Sequence, residues 1–272
     1  MSKRNSQAAK TAARERLRAE RERQAKRAKV KRQALVGVSV VAVLAVAGGV
    51  GYAVTQANKP SHWEAAKDAK LVKPKHSTGA DGTTVVLGKA DAKNTLKMYE
   101  DPRCPICAQF EQTVGATVQK DVDSGKYKIQ YIGASFIDNN GGEGSKNALS
   151  AMGAALNVSP EAFLKYKSAL YSAKYHPDET TDKFKDDAYL IKVANTVEGL
   201  KGNKAFQKDV KDGTFDKWAL DMSKKFDDNK DGVSGTPTLF MNGKKLVGPD
   251  GQAAPMTVAD FNTAVDKDLS KG

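Results

Sequence analysis

From residue 83 onward the hydrophobic positions follow two periods. Thr83–Leu87 (TTVVL) and Thr95–Tyr99 (TLKMY) are short β-branched and aromatic runs that predict strands, joined through Gly88 to Asn94. Pro105–Val122 predicts a helix, because Phe110, Val114, Val118 and Val122 recur every four residues. Tyr127–Phe136 (YKIQYIGASF) alternates and predicts a third strand, followed by a Gly/Asn loop at Asp138–Gly144. Roughly 85 residues of mostly helical pattern come next, with candidates at Ser145–Leu156, Pro160–Ser172, Phe184–Val197, Lys201–Gly213 and Thr214–Phe226. Ser159 at a cap with Pro160 just inside marks the second of these. Strand pattern returns at Thr238–Met241, turns at Asn242-Gly243, and continues through Lys244–Val247 as a hairpin. Thr257–Leu269 predicts a closing helix. The order is β, β, α, β, a helical block, β, β, α, which makes residues 83–272 an α/β domain large enough for one buried core.

Ahead of that domain, residues 34–54 (ALVGVSVVAVLAVAGGVGYAV) form 21 positions without a charge. At ~1.5 Å per residue, a helix of that length covers the ~30 Å hydrocarbon core of a bilayer. A buried core helix rarely stays apolar on every side for so long. A cleaved signal has an apolar region of ~7–15 residues and a small-x-small site, and Thr55-Gln56-Ala57 is a poor one. We read a single uncleaved N-terminal transmembrane helix. Residues 55–82 are polar, with Pro60 and Pro74, and read as a tether holding one short helix at His62–Lys70.

The net charge of +12 is placed unevenly. Residues 1–33 hold 13 Lys/Arg against three Glu, a net of +10, and the remaining 239 residues hold 31 basic and 29 acidic groups, a net of +2. A nucleic-acid binder needs its basic face on the folded domain, so no nucleic-acid partner is expected. A basic stretch beside a first span instead keeps that flank in the cytoplasm. The expectation is a single-pass cell-membrane protein with a cytoplasmic tail (1–33) and an extracytoplasmic domain.

The chain has two cysteines, too few for a disulfide-rich scaffold or an all-Cys metal cluster. They stand as Cys104-Pro105-Ile106-Cys107, after a predicted strand and at the start of a predicted helix. A free Cys has a pKa near ~8.5, and unpaired N–H groups at a helix start favour its thiolate. Cys104 is the expected exposed, acidified nucleophile and Cys107 the shielded resolving thiol. Pro105 pre-sets the turn where its missing N–H costs nothing. As a structural staple, a four-residue disulfide loop contributes only ~2 kcal/mol. Zinc needs four ligands, and His62, His76 and His176 are scattered. We read a redox pair that uses no cofactor beyond its own disulfide. Asp227–Gly232 imitates half of a calcium loop, but the twelfth position is Thr238 rather than Glu. No metal site is expected.

Gly235-Thr236-Pro237-Thr238 precedes the late hairpin. Two readings stand. A cis Pro237 beside an active site would offer the Thr236 backbone to an extended substrate, whereas a trans Pro237 would only end a loop.

Tyr99–Cys107 (YEDPRCPIC) together with Gly232–Thr238 (GVSGTPT) resembles the DsbA-like thiol–disulfide oxidoreductases, in particular their membrane-anchored actinobacterial branch. The resemblance covers about residues 83–269. It implies a thioredoxin fold with an inserted helical domain at about residues 142–230. It also implies that Thr236 and Pro237 contact substrate. Some relatives carry an acid six residues before the first Cys; here that residue is Met98, and Glu100 and Asp101 either substitute for it or belong to a solvated loop. Strongly oxidising relatives carry His before the second Cys, where this chain has Ile106, so a milder oxidant is expected. The implied activity is disulfide formation in reduced exported proteins, with a membrane quinone-linked oxidase restoring the pair. A disulfide reductase, for example in cytochrome maturation, and a non-enzymatic redox-sensing or substrate-holding module are the alternatives.

Overall fold

The computed structural model describes residues 62–270 and, ahead of them, Lys26. The basic tail and the span at 34–54 otherwise lie outside the described residues. Among the described residues no helix is long and apolar enough to cross a membrane.

Five strands form one sheet in the order β1-β3-β2-β4-β5: β1 (Val85–Leu87), β2 (Thr95–Glu100), β3 (Lys128–Gly133), β4 (Thr238–Met241) and β5 (Lys244–Leu246). β2 and β3 run parallel in the register Thr95↔Lys128 to Glu100↔Gly133. β4 lies antiparallel to β2, pairing Tyr99 with Thr238, so the end of the Gly-Thr-Pro stretch sits beside the end of the strand that leads to the cysteines. The two stretches are far apart in sequence, and the fold brings them together.

Two helices follow β2: α2 (Pro105–Thr113) and α3 (Gly115–Ser124), after the short α1 (His62–Lys67). One unbroken helix was expected over 105–122. The break falls at Val114, where β-branched Thr113 and Val114 meet Gly115, three positions of weak helix propensity. Thr113 Oγ1 also donates to Met256 O at 3.0 Å, tying the break to the loop before the last helix.

Between β3 and β4 lie α4 (Gly144–Val158), α5 (Pro160–Tyr171), α6 (Asp187–Ala194), α7 (Lys204–Lys211) and α8 (Asp216–Asp227), with 3-10 turns at Phe136–Asn140 and Lys183–Lys185. α4 is the hub, buried from Gly144 to Leu156 at all positions but Lys146. Its Ala, Gly and Ser residues let neighbours approach closely; a Cβ at Gly153 would meet the Trp218 ring at 2.9 Å. Gly133 at the end of β3 does the same for Leu149, a side chain of α4. Ser159 Oγ caps α5 through Ala162 N at 3.0 Å, with Pro160 just inside. The strand 127–136 was expected to run longer than β3 does. Beyond Gly133 the chain turns away, and Ser135 hydrogen-bonds Ser223 of α8 through its N–H and its hydroxyl.

Asn242 (φ +51°) and Gly243 (φ +84°) make the hairpin turn, both in the left-handed region that Asn-Gly favours. α9 (Val258–Leu269) closes the domain, with Thr257 Oγ1 accepting from Asp260 N. Residues 62–82, expected as tether, pack on the domain. Trp63 is buried on α1, and Trp218 Nε1 donates to Gly82 O at 2.9 Å. Trp63 and Ala66, one helical turn apart, are the buried residues of α1, and Lys225 pairs with Asp81 further along the segment.

Candidate active site

Cys104 is the N-cap of α2, with extended backbone (φ −70°, ψ 118°) and Pro105 in the first turn. Its Sγ accepts from the N–H of Cys107 at 3.4 Å and lies 3.5 Å from Thr236 O. Both thiols are free. The Cys104 pKa falls to about 6, chiefly through a hydrogen bond from the Cys107 thiol, with help from Thr236 and the N–H groups of Cys107 and Ile106, and against the cost of burial. Burial, its bond to Cys104 and the nearby Glu100 push the Cys107 thiol well above the usual range. Two cysteines one helical turn apart thus have opposite acidities. The first sits at the open end of the backbone N–H array and the second sits inside.

The tip is less open than expected. Cys104 is only 6% exposed, because Thr236 reaches across it and Ile137, Tyr171 and Phe136 pack around the pair. Ile106 is the outward residue at 48% exposure. Beside it a cleft of about 330 Å³ is lined by Ile106, Val233, Thr236, Pro237 and Met256 among others. The Thr236–Pro237 peptide is cis. All the residues singled out from the sequence (Glu100, Cys104, Pro105, Ile106, Cys107, Thr236 and Pro237) therefore converge at one end of β2 and β4.

Glu100 is not in a solvated loop. It is the last residue of β2 and fully buried, as is Asp101 after it. Its Oε2 lies 2.9 Å from Lys167 Nζ, and the same ammonium lies 2.5 Å from Glu111 Oε1. Lys167 also sits over the faces of Tyr171 (5.4 Å) and Tyr131 (5.8 Å). Burial raises the Glu100 pKa to about 8 although Lys167 works against it. Burial opposes the charge on Lys167, but the two carboxylates outweigh it and hold Lys167 above its ordinary value. Met98, six residues before Cys104, is a core side chain.

The chain matches the Thioredoxin family over residues 80–267. It belongs to that family. It is 28% identical over 163 residues to disulfide bond formation protein D of Bacillus subtilis, covering 59% of this chain and 68% of that one. The fold is similar to oxidised DsbA of Mycobacterium tuberculosis, at TM-score 0.52 and 25% identity over 68% of this chain and 98% of the other. It is also similar to oxidised BdbD of Bacillus subtilis, at TM-score 0.57 and 22% identity over 74% of this chain and all of the other. Within the thioredoxin family the chain is a DsbA-like thiol–disulfide oxidoreductase.

Sequence reasoning missed the partners that the helical block brings to this thioredoxin-family site. Lys167 lies on α5, which the periodicity marks only as a helix; Tyr171 on the same helix reads, from its near-helical spacing with Tyr166 and Tyr175, as packing with a share in a substrate groove. A Lys on the buried face was the available signal, since Lys is almost never fully buried unless paired. Arg103, Asp138 and Asp182 also went unremarked. The acidic run 227–232 is engaged elsewhere. Asp231 Oδ2 accepts from Tyr99 OH (2.5 Å) and Lys97 Nζ (2.7 Å), Asp228 pairs with Lys224, and Asn229 bonds Val233. Asp231 thereby fastens the loop ahead of Pro237 to β2.

Proposed function

We propose that the protein introduces disulfides into reduced exported proteins, working through Cys104 and Cys107 on the outer side of the cell membrane. In this reading residues 34–54 are the anchor and residues 1–33 stay in the cytoplasm. The observation that carries it is the opposed acidity of the pair: a stabilised thiolate at Cys104 makes the reduced form favourable, which is what an oxidant of other thiols requires. The similarity to a protein named for disulfide bond formation supports the same direction.

The reaction starts from the Cys104–Cys107 disulfide. A substrate thiolate attacks Cys104 Sγ, a substrate–Cys104 bond forms, and the Cys104–Cys107 bond breaks. Cys107 departs with the electron pair and takes a proton, for which Glu100 is the buried acid. A second substrate thiolate then attacks the substrate sulfur of the mixed disulfide and releases Cys104 as a thiolate. The substrate loses two electrons and two protons; the pair gains both electrons and one proton, and the other proton goes to solvent. A membrane quinone-linked oxidase would take the electrons back from the pair. No cofactor beyond the disulfide enters. Ile106, Val233 and Met256 give the cleft apolar contacts beside polar ones from Ser234 and Gln252, a mixed lining suited to an extended, unfolded client.

The test uses the full chain in detergent. It is expected to oxidise a reduced unfolded protein, Cys104→Ser to abolish this, and Cys107→Ser to accumulate mixed disulfides with clients. In glutathione buffers the pair should be reduced more readily than a structural disulfide. A pair that stays oxidised in strongly reducing glutathione would favour the reductase reading instead.

A further inference from the structure

Four consecutive residues lead from β2 into Cys104, and each is held by the helical block or the turn that opens it. Glu100 meets Lys167. Asp101 accepts from Ser145 Oγ at 2.6 Å and from Ile137 N at 3.1 Å. Pro102 O lies 3.1 Å from His176 Nε2. Arg103 has the most partners: its guanidinium donates to Asp138 Oδ1 (2.9 Å), Gly141 O (3.0 Å) and Glu179 O (2.9 Å), and lies 3.5 Å from Asp182 Oδ1.

Those two aspartates cap α4. Asp182 accepts from the N–H groups of Glu143 and Gly144, and Asp138 from those of Ser145 and Lys146. Four otherwise unpaired helix N–H groups are thus satisfied by two half-buried carboxylates, and the buried Arg103 supplies counter-charge to both, with Lys146 Nζ 3.9 Å from Asp138 as well. The chain leaves room for this. A Cβ at Gly142 would meet Arg103 Nη1 at 2.7 Å, and one at Gly144 would overlap the Asp182 carboxylate. The loop at 138–144 therefore wraps a cation that belongs to the peptide next to the nucleophile.

We propose that Arg103 is a positioning residue for Cys104, through which the helical block sets the placement of the attacking sulfur. An ion pair that only held the domain together could sit anywhere; this one is fixed one residue before the thiol. The Arg103 N–H goes to Asp101 Oδ1 and the Cys104 N–H to Asp101 O, so the turn that carries the guanidinium is hydrogen-bonded to the turn that carries the thiol. The two contacts it serves, Sγ to Cys107 N–H at 3.4 Å and Sγ to Thr236 O at 3.5 Å, both depend on where the Cys104 backbone holds the sulfur. The inference rests on Cys104 being the exchanging thiol.

Arg103→Met takes the guanidinium away from Asp138 and Asp182 and can unfold the protein, so Arg103→Lys, which keeps the charge and loses the fork, carries the test. The readout is the pH-dependent alkylation rate of Cys104 in the reduced full-length protein in detergent, beside the melting temperature. Arg103→Lys is expected to raise the alkylation midpoint by about half a pH unit, slowing the reaction below that midpoint about threefold. Gly153→Ala, which crowds Trp218 in the same block without touching Arg103, is the control for general loosening and is expected to leave the midpoint in place. Should Arg103→Lys fail to fold, Ser145→Ala, which removes one bond to Asp101, is read in the same way. A parent-like midpoint in the folded variant, or an equal shift in Gly153→Ala, overturns the proposal. If the parent alkylates normally but exchanges no disulfide with clients, the proposed function falls while this test still reads the clamp.

Discussion

Glu100 and Lys167 meet across the boundary between the sheet and the helical block, Oε2 to Nζ at 2.9 Å, with neither side chain open to solvent. The strand brings the acid within electrostatic reach of Cys107, and the inserted helix brings the cation. Removing one partner of a buried ion cluster leaves an uncompensated charge. Lys167→Met leaves Glu111 without its cation and Glu100 without its polar partner, and is expected to cost about 3–5 kcal/mol in urea unfolding. Adding Glu100→Gln to that variant should recover part of the loss. If Lys167→Met unfolds like the parent, the cluster is not closed as described.

Glu100→Gln keeps the shape and removes the acid. Buried acid–base groups contribute about 10²–10⁴-fold to proton-coupled steps. The attack of Cys107 on a preformed mixed disulfide at Cys104 should slow by at least about tenfold, followed by quenched-flow trapping near neutral pH. Client binding to Cys107→Ser should be unaffected by the same substitution.

The acidity of Cys104 ties stability to pH. Its folded-state pKa is lowered from 9.0 to about 6, so its contribution to the reduced protein is fully present above about pH 9 and is lost as pH falls to about 6. At about 1.4 kcal/mol per tenfold change in acidity, the window spans at most about 4 kcal/mol. The difference in unfolding free energy between the reduced and oxidised forms should move toward the reduced form from pH 6 to pH 9. In Cys104→Ser the reduced-state slope over that window should flatten.

Ile106 stands out from the surface at 48% exposure and gives the thiolate neither charge nor hydrogen bond from its side chain. Ile106→His adds both without disturbing the core. Each ~30 mV is about 1.4 kcal/mol, and one added interaction should make the pair more oxidising by several tens of millivolts in glutathione equilibration. An unchanged potential would show that the residue between the cysteines does not set it here.

Gly133 ends β3 with Leu149 packed against its Cα, and a Cβ there would overlap the leucine methyl. Overpacking of this kind costs about 1–3 kcal/mol. Gly133→Ala should lower the unfolding free energy by that amount in urea titration while leaving the alkylation rate of Cys104 unchanged.

Much of this was readable from residues alone. Alternation at 127–133, the four-residue recurrence after Pro105, the Ser159-Pro160 start and the Asn242-Gly243 turn are local patterns, and local patterns set local backbone. The Cys104–Cys107 pair at a strand-to-helix junction was likewise legible, because helix-terminal electrostatics need only short-range geometry. The break at Val114 was missed since an apolar stripe continues through it, and the docking of residues 62–82 was missed since polar composition hides Trp63 and Ala66.

By itself, then, the sequence determined that two cysteines stand one helical turn apart at a strand-to-helix junction, and the order of strands and helices around them, through periodicity and capping chemistry that act over a few residues. Only the tertiary structure decided that Glu100 is buried against Lys167, that Thr236 covers Cys104, and that Arg103 is gripped by Asp138 and Asp182. Those contacts join residues 35 to 132 positions apart, and no spacing rule reaches that far. The physical reason is that a charge is buried only where the fold delivers its partner, and that delivery depends on the packing of the whole helical block.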